Sequence, residues 1–137
     1  MQFWIITLAL GVLFVATTAP NVAQEQTSRS LRLASPEGTF VDKYGTSFVF
    51  SLCGKTRADL CGVLSDVQGR SRTQKNLQYV GRQVMQASPA SPSKWKGSVI
   101  FNGAMATATI TQTGPNTINV QGCRGVLCQT LAFNRVQ

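Results

Sequence analysis

Histidine is absent from this chain of 137 residues. The side chain that most often serves as general base near neutral pH is therefore missing. Acids are few and confined to the first half: Glu25, Glu37, Asp42, Asp59 and Asp66 complete the set, and none follows Asp66. A catalytic carboxylate pair would have to come from these, and Asp59 and Asp66 lie at or beside expected loops. The four cysteines, Cys53, Cys61, Cys123 and Cys128, show no CxxC spacing and have no histidine to join them, which argues against zinc. Adjacent Ser93 and Lys94 do not by themselves make a catalytic dyad. The chain reads as non-enzymatic, with no metal or other cofactor.

Long hydrophobic runs are lacking too. The one candidate, Phe3 to Ala16, has 14 apolar or small residues, short of the roughly 20 a spanning helix needs. With Thr17 to Ala23 behind it, it reads as a secretory signal peptide over residues 1–23, cut after the small Ala23. The absence of Lys or Arg before the run and Asn21 near the cut are atypical; Pro20 argues against a cut after Ala19. No cysteine stands at the cut to carry a lipid, and no transmembrane segment is expected after cleavage. Periplasm or secretion follows. About 114 residues remain, enough for one domain that buries roughly two-thirds of its chain surface.

In an oxidising compartment the four cysteines imply two disulfides. They allow three pairings. Cys53–Cys61 with Cys123–Cys128 is favoured because each pair brackets a short hairpin tip; the two cross-pairings stay open. Around the first pair, Phe48, Phe50 and Leu52 fall on one face, and Ser47, Val49, Ser51 and Cys53 on the other. After the polar tip Gly54–Asp59, Leu60, Gly62 and Leu64 share a face, with Cys61 opposite. Both cysteines thus lie on the non-core side, where a non-hydrogen-bonded pair of facing residues suits a bridge.

The remaining pattern is more of the same antiparallel material. Residues 24–36 read as a polar tail and 37–137 as one domain. Gly38 to Lys43 is a short first strand, Val67 to Leu77 a polar loop and Tyr79 to Gln86 a strand, with a short helix over Lys75 to Met85 as the alternative. Ala87 to Lys94 reads as a Pro/Ser loop. Trp95 to Phe101 and Ala104 to Ile110 alternate on either side of Asn102-Gly103, a strong hairpin signal. Gly114 to Asn116 makes the next turn. Ile118 and Val120 point inward, and Leu127, Leu131 and Phe133 return on one face. Seven or eight strands with short turns predict an all-β fold: a small antiparallel meander closing into a disulfide-stapled β-barrel, lipocalin-like in outline.

These residues resemble a known family. Ala34–Phe40 (ASPEGTF), Cys53-Gly54, Leu60–Leu64 (LCGVL), Trp95–Asn102 (WKGSVIFN), Val120–Cys128 (VQGCRGVLC) and Arg135 are similar, in order, to the bacterial exported family known as domain of unknown function 2147. The resemblance spans Ala34 to Val136. It implies an envelope location and a compact β-barrel-like domain, with no established activity to carry over. The chain departs from it at Phe40, where the family usually has Trp. It also departs at Ile100–Thr109, in place of a YNP-type segment, and in a shortened middle that reads GRSRTQKN.

The net charge is +8, and everything after Asp66 is basic or neutral. Such a field favours anionic partners. The leading functional expectation is an exported interaction module whose Arg70, Arg72, Lys75, Lys94 and Lys96 meet an anionic envelope component or a protein partner. The alternative is a carrier of a small apolar or amphipathic ligand inside the barrel. Phe48, Phe50, Trp95, Phe101, Leu131 and Phe133 would line its cavity, Ala104 and Ala106 would leave room, and an inward Arg82 would meet an acidic head group. Specific nucleic-acid binding is not expected, because basic and aromatic residues are not interleaved as in base-stacking platforms.

Overall fold

A computed structural model describes residues 34–137. The expected signal peptide and residues 24–33 of the tail lie outside the described residues. Eight antiparallel strands form a closed barrel in simple chain order. They are β1 (Gly38–Val41), β2 (Thr46–Cys53), β3 (Asp59–Val67), β4 (Gln83–Ser91), β5 (Lys94–Phe101), β6 (Ala104–Gly114), β7 (Thr117–Arg124) and β8 (Leu127–Arg135). The up-and-down order sends alternate connections to opposite ends. One end carries the 42–45 turn, the long β3–β4 connection, the Asn102-Gly103 turn and the Gly125-Val126 turn; we call it the lid end. The other, the tail end, carries the 54–58, 92–93 and 115–116 turns and the incoming chain.

The expected alternation places the core. Phe48, Phe50, Leu60, Leu64, Val99, Ala106, Ala108, Ile110, Ile118, Val120 and Phe133 are all buried inside the barrel. Phe40, Phe48, Phe50 and Phe133 form a ring cluster across β1, β2 and β8, with centroid separations of 5.2–6.5 Å and mostly edge-on packing. Trp95 is buried at the tail end, where its indole N–H donates to the Ala58 carbonyl at 3.0 Å and ties the β2–β3 tip to β5.

Both favoured disulfides are present. Cys123 and Cys128 face each other directly, Cα to Cα 4.1 Å, one residue beyond the Gly125-Val126 turn. The other staple departs from the facing geometry. Cys53 lies opposite Asp59 and Cys61 opposite Ser51, so the bridge is diagonal, with 6.0 Å between Cα atoms. The tip closes at the Cys53–Asp59 pair, which leaves Cys61 two residues further along its strand.

The middle of the chain differs from expectation. Ala87 to Lys94 is not a loop: β4 continues to Ser91 and turns at Pro92-Ser93. Pro89 pairs with Trp95 beside a bulge at Ala90, near the end of the strand, where a missing N–H is tolerated. A second bulge lies between β3 and β4, where Gln83 pairs with Val63 and Met85 with Gly62. It leaves Val84 as an extra residue, so that Val84 and Met85 are both buried and the alternation breaks. The strand expected from Tyr79 begins only at Gln83, and Arg82 is exposed rather than inward-facing. Leu127, expected on the core face, stands beyond the rim and is 77% exposed. The polar stretch expected as a loop contains the end of β3, a 3-10 turn (Gly69–Ser71) and one helical turn, α1 (Gln74–Leu77).

The barrel closes through very little backbone. β1 meets β8 only at Phe40–Arg135 and Val41–Asn134. Arg135 reinforces this seam. Its guanidinium donates to the carbonyls of Glu37 (2.6 Å), Ser35 (2.8 Å) and Pro115 (3.1 Å), and lies 4.6 Å above the Phe40 ring. Gly38 makes room for it, since a Cβ there would stand 2.6 Å from Nη1. Glu37 adds a bond from the other side, accepting from the Leu52 N–H at 2.9 Å. We predict that Arg135→Ala lowers stability by about 2 kcal/mol, as expected for loss of several charge-assisted bonds at a half-buried site. Arg135→Lys should recover little of this, because an ammonium cannot span three carbonyls. Urea denaturation checks both; wild-type stability in the lysine variant would contradict the clamp.

Candidate functional site

The lid end holds a partly open apolar space. It is a cavity of about 70 Å³ whose walls include Phe48, Leu64, Val84, Met85, Val99, Val120, Leu131 and Phe133. Its rim is mixed, with Asn76, Tyr79, Phe101, Asn102, Gly103 and Gln129. Below it the barrel is filled by side chains, Phe40, Phe50, Leu60, Ile110 and Ile118 among the most deeply buried. The barrel is thus neither hollow throughout nor closed at both ends.

The β3–β4 connection covers this end. Backbone bonds tie its first part to the 42–45 turn: Gln68 N–H to the Gly45 carbonyl (2.8 Å) and Ser71 N–H to the Tyr44 carbonyl (3.2 Å). Asp42 shapes that turn, its Oδ1 accepting from the N–H groups of Tyr44 (2.9 Å) and Thr46 (2.8 Å). Its Oδ2 is buried without a partner among the described residues. Thr73 caps α1 by accepting from the Asn76 N–H, and the Asn76 side chain donates to the Ser71 carbonyl at 2.8 Å. The connection returns at Gly81 and Arg82, which bracket Leu64 with two backbone bonds. Leu77 and Tyr79 pack partly buried against the core.

The cavity residues expected from the alternation are only partly brought together. Phe48, Phe101, Leu131 and Phe133 line the space; Phe50, Trp95, Ala104 and Ala106 do not. Trp95 is at the tail end, and Phe50 belongs to the filled core. Ala106 faces Gly122, whose added Cβ would stand 3.9 Å from it. The room comes from Gly122 rather than from the alanines. Tyr79 and Asn76 escaped the sequence reading because they sit on a connection whose fold back over the barrel depends on tertiary bonds.

The five expected cationic contacts divide between the two ends. Arg70, Arg72 and Lys75 are exposed on the lid connection, whereas Lys94 and Lys96 lie on β5 near the tail end. The lid end gathers others instead. Lys43 and Arg70 line one surface groove, Arg124 donates to the Phe101 carbonyl, Arg82 follows Gly81, and the Lys75 stem lies 3.8 Å from where a Gly103 Cβ would be. Among the described residues the one ion pair, Arg57 with Glu37 at 4.0 Å, is at the tail end. Among the described residues the lid-end cations therefore have no carboxylate partner within that distance. No group of three metal-ligating side chains converges among the described residues, and no described helix is long and apolar enough to cross a membrane. Searched against protein families, characterised proteins and solved structures, the chain matches none.

Gly122 gives a direct handle on the cavity. Its backbone is not in the left-handed region, and a Cβ would meet Val99 at 3.7 Å, ordinary contact. We predict that Gly122→Ala raises stability by roughly 0.5–1 kcal/mol, through lost unfolded-state entropy and a better-filled cavity. A thermal melt checks the sign; a lower midpoint would mean that the space is already closed.

Proposed function

We propose that the protein is a non-catalytic, exported binding module of the bacterial envelope, periplasmic or secreted, that takes an anionic ligand carrying a short apolar group. One observation carries this reading: the apolar cavity lies at the barrel end where cations without an ion-pair partner among the described residues gather. Lys75, Arg82 and Arg124 each border a residue of the cavity rim or its cover. An anionic group held there would meet exposed, salt-sensitive positive charge beside a low-dielectric opening. The basic-surface reading and the carrier reading thus meet on one site.

Size narrows the ligand. A cavity of about 70 Å³ is well under the roughly 150 Å³ that accepts a benzene molecule. It suits a short or branched hydrocarbon group; a long acyl chain would require the lid connection to move. The two disulfides are compatible with an oxidising compartment, as the envelope reading requires.

Isothermal titration with butyl phosphate and butanol tests the proposal. The phosphate is expected to bind at least tenfold more tightly than the alcohol, and its affinity to fall steeply between low and physiological salt. Gly122→Val should abolish binding while the protein stays folded, and Lys75→Glu should weaken it. Lys94→Glu, at the far end, should leave it unchanged. Equal binding of the alcohol, or an equal loss from the Lys94 variant, would sink the proposal.

A further inference from the structure

The barrel seam is incomplete. β8 is paired along its whole length with β7, but β1 covers only Asn134 and Arg135 on its other side. The alternation of an antiparallel ladder decides which groups are left over. The Cys123–Cys128 pair, next to the closing Arg124–Leu127 pair of a two-residue turn, is of the non-hydrogen-bonded type. The N–H and C=O groups of Cys128 therefore point away from β7, as do those of Thr130 and Ala132. Val136, in the same phase, donates to the Thr39 carbonyl of β1 at 2.9 Å, which fixes the direction. Cys128, Thr130 and Ala132 thus offer three donors and three acceptors to the gap, with no partner among the described residues.

This edge lacks the usual guards. From Leu127 to Asn134 the strand has no charged residue and no proline, and no bulge interrupts its pairing with β7. The gap is a groove with Thr130, Leu131 and Ala132 on one wall and Val41, Asp42 and Lys43 on the other. Leu131 also lines the apolar cavity. Exposed Val126 and Leu127 extend the apolar surface at the lid-end mouth.

We infer that this free edge is a docking site for an extended, acidic peptide segment of a partner protein, which adds to the sheet as a strand beside β8. Backbone bonds to Cys128, Thr130 and Ala132 give the affinity; alternate side chains reaching toward Leu131 give selectivity. Charge selects the occupant. Exposed Lys43 stands at one wall of the groove, and its neighbour Asp42 turns its carboxylate to the N–H groups of Tyr44 and Thr46 in its own turn. A second copy of this chain would bring together two surfaces of the same sign, each on a molecule of net charge +8. The inference is independent of the lid-end ligand, since it rests on the backbone of β8.

Amide hydrogen exchange followed by NMR tests it. In the protein alone, the amides of Cys128, Thr130 and Ala132 should exchange much faster than those of Gln129, Leu131 and Phe133, which bond to β7. The probe is a short peptide of alternating valine and threonine with two glutamates at each end. At saturation it should slow the three free amides at least tenfold, and a version with lysines in place of glutamates should bind at least tenfold more weakly. Thr130→Pro removes a donor facing the gap without touching a β7 bond, and should abolish peptide binding. If that variant fails to fold, Thr130→Glu, at an exposed position, should weaken binding tenfold or more. Protection of the three amides in the protein alone would mean that the edge is already covered, by the chain's own N-terminal segment or a second copy, and would overturn the inference. So would peptide binding that leaves them unprotected, or equal binding of the lysine version.

Discussion

The Arg135 guanidinium is the contact on which closure of this barrel turns. Seven of the eight strand-to-strand joins are ladders of four to eight residue pairs between sequence neighbours, and the eighth joins the two ends of the domain through two residue pairs. A seam that short would open readily by itself. The planar fork of one arginine, stacked on Phe40 and donating to carbonyls before β1 and between β6 and β7, ties three parts of the tail end together. An arginine suits the task because its donors diverge within one rigid plane and its face can rest on an aromatic ring. The phenylalanine cluster beneath is ordered by the same contact, since Phe40 lies between the guanidinium and Phe50.

The molecule is consequently uneven from end to end. The tail end is fastened by Arg135, by the Trp95 indole and by the diagonal disulfide near the 54–58 tip. The lid end has a cavity, an irregular connection and an open stretch of β8, and only the Cys123–Cys128 disulfide beside its β7–β8 turn staples it. Both candidate binding features lie there. Such a division suits a binding barrel, because a well-fastened end can hold the strands in place while the other end keeps unpaired groups available. The cations follow the same division, with those nearest the cavity lacking the carboxylate neighbour that Arg57 has at the tail end.

Much of this architecture could be read from the amino acids, for identifiable reasons. Alternation is a local property, so Phe48 and Phe50, Ala106 to Ile110, and Ile118 with Val120 were placed on the right face. Asn102-Gly103 was legible because both residues take positive φ, 49° and 76°. Cysteine parity pointed to the two local bridges. The failures share a cause: they are places where tertiary structure overrides a local rule. Pro89 sits in a strand because a bulge there accommodates its missing N–H. Val84 and Met85 are both buried because a bulge inserts one residue, which also takes Arg82 out of the inward set. The cavity was misplaced because its room comes from a glycine on β7 and its rim from residues on the lid. The shortness of β1 against β8 was invisible, because nothing in either strand alone states how far the other extends.

The disulfides carry a consequence for biogenesis. Each joins the two arms of a single hairpin, with sequence separations of 8 and 5. Were the chain exported N-terminus first, as proposed, Cys53 and Cys61 would emerge long before Cys123. The first pair could then oxidise while the second was still on the far side of the membrane, with the correct thiol the nearest one available. Order of arrival would favour the native pairing. Maturation would then depend on a supply of oxidant, with little need for an isomerase to exchange wrong bridges.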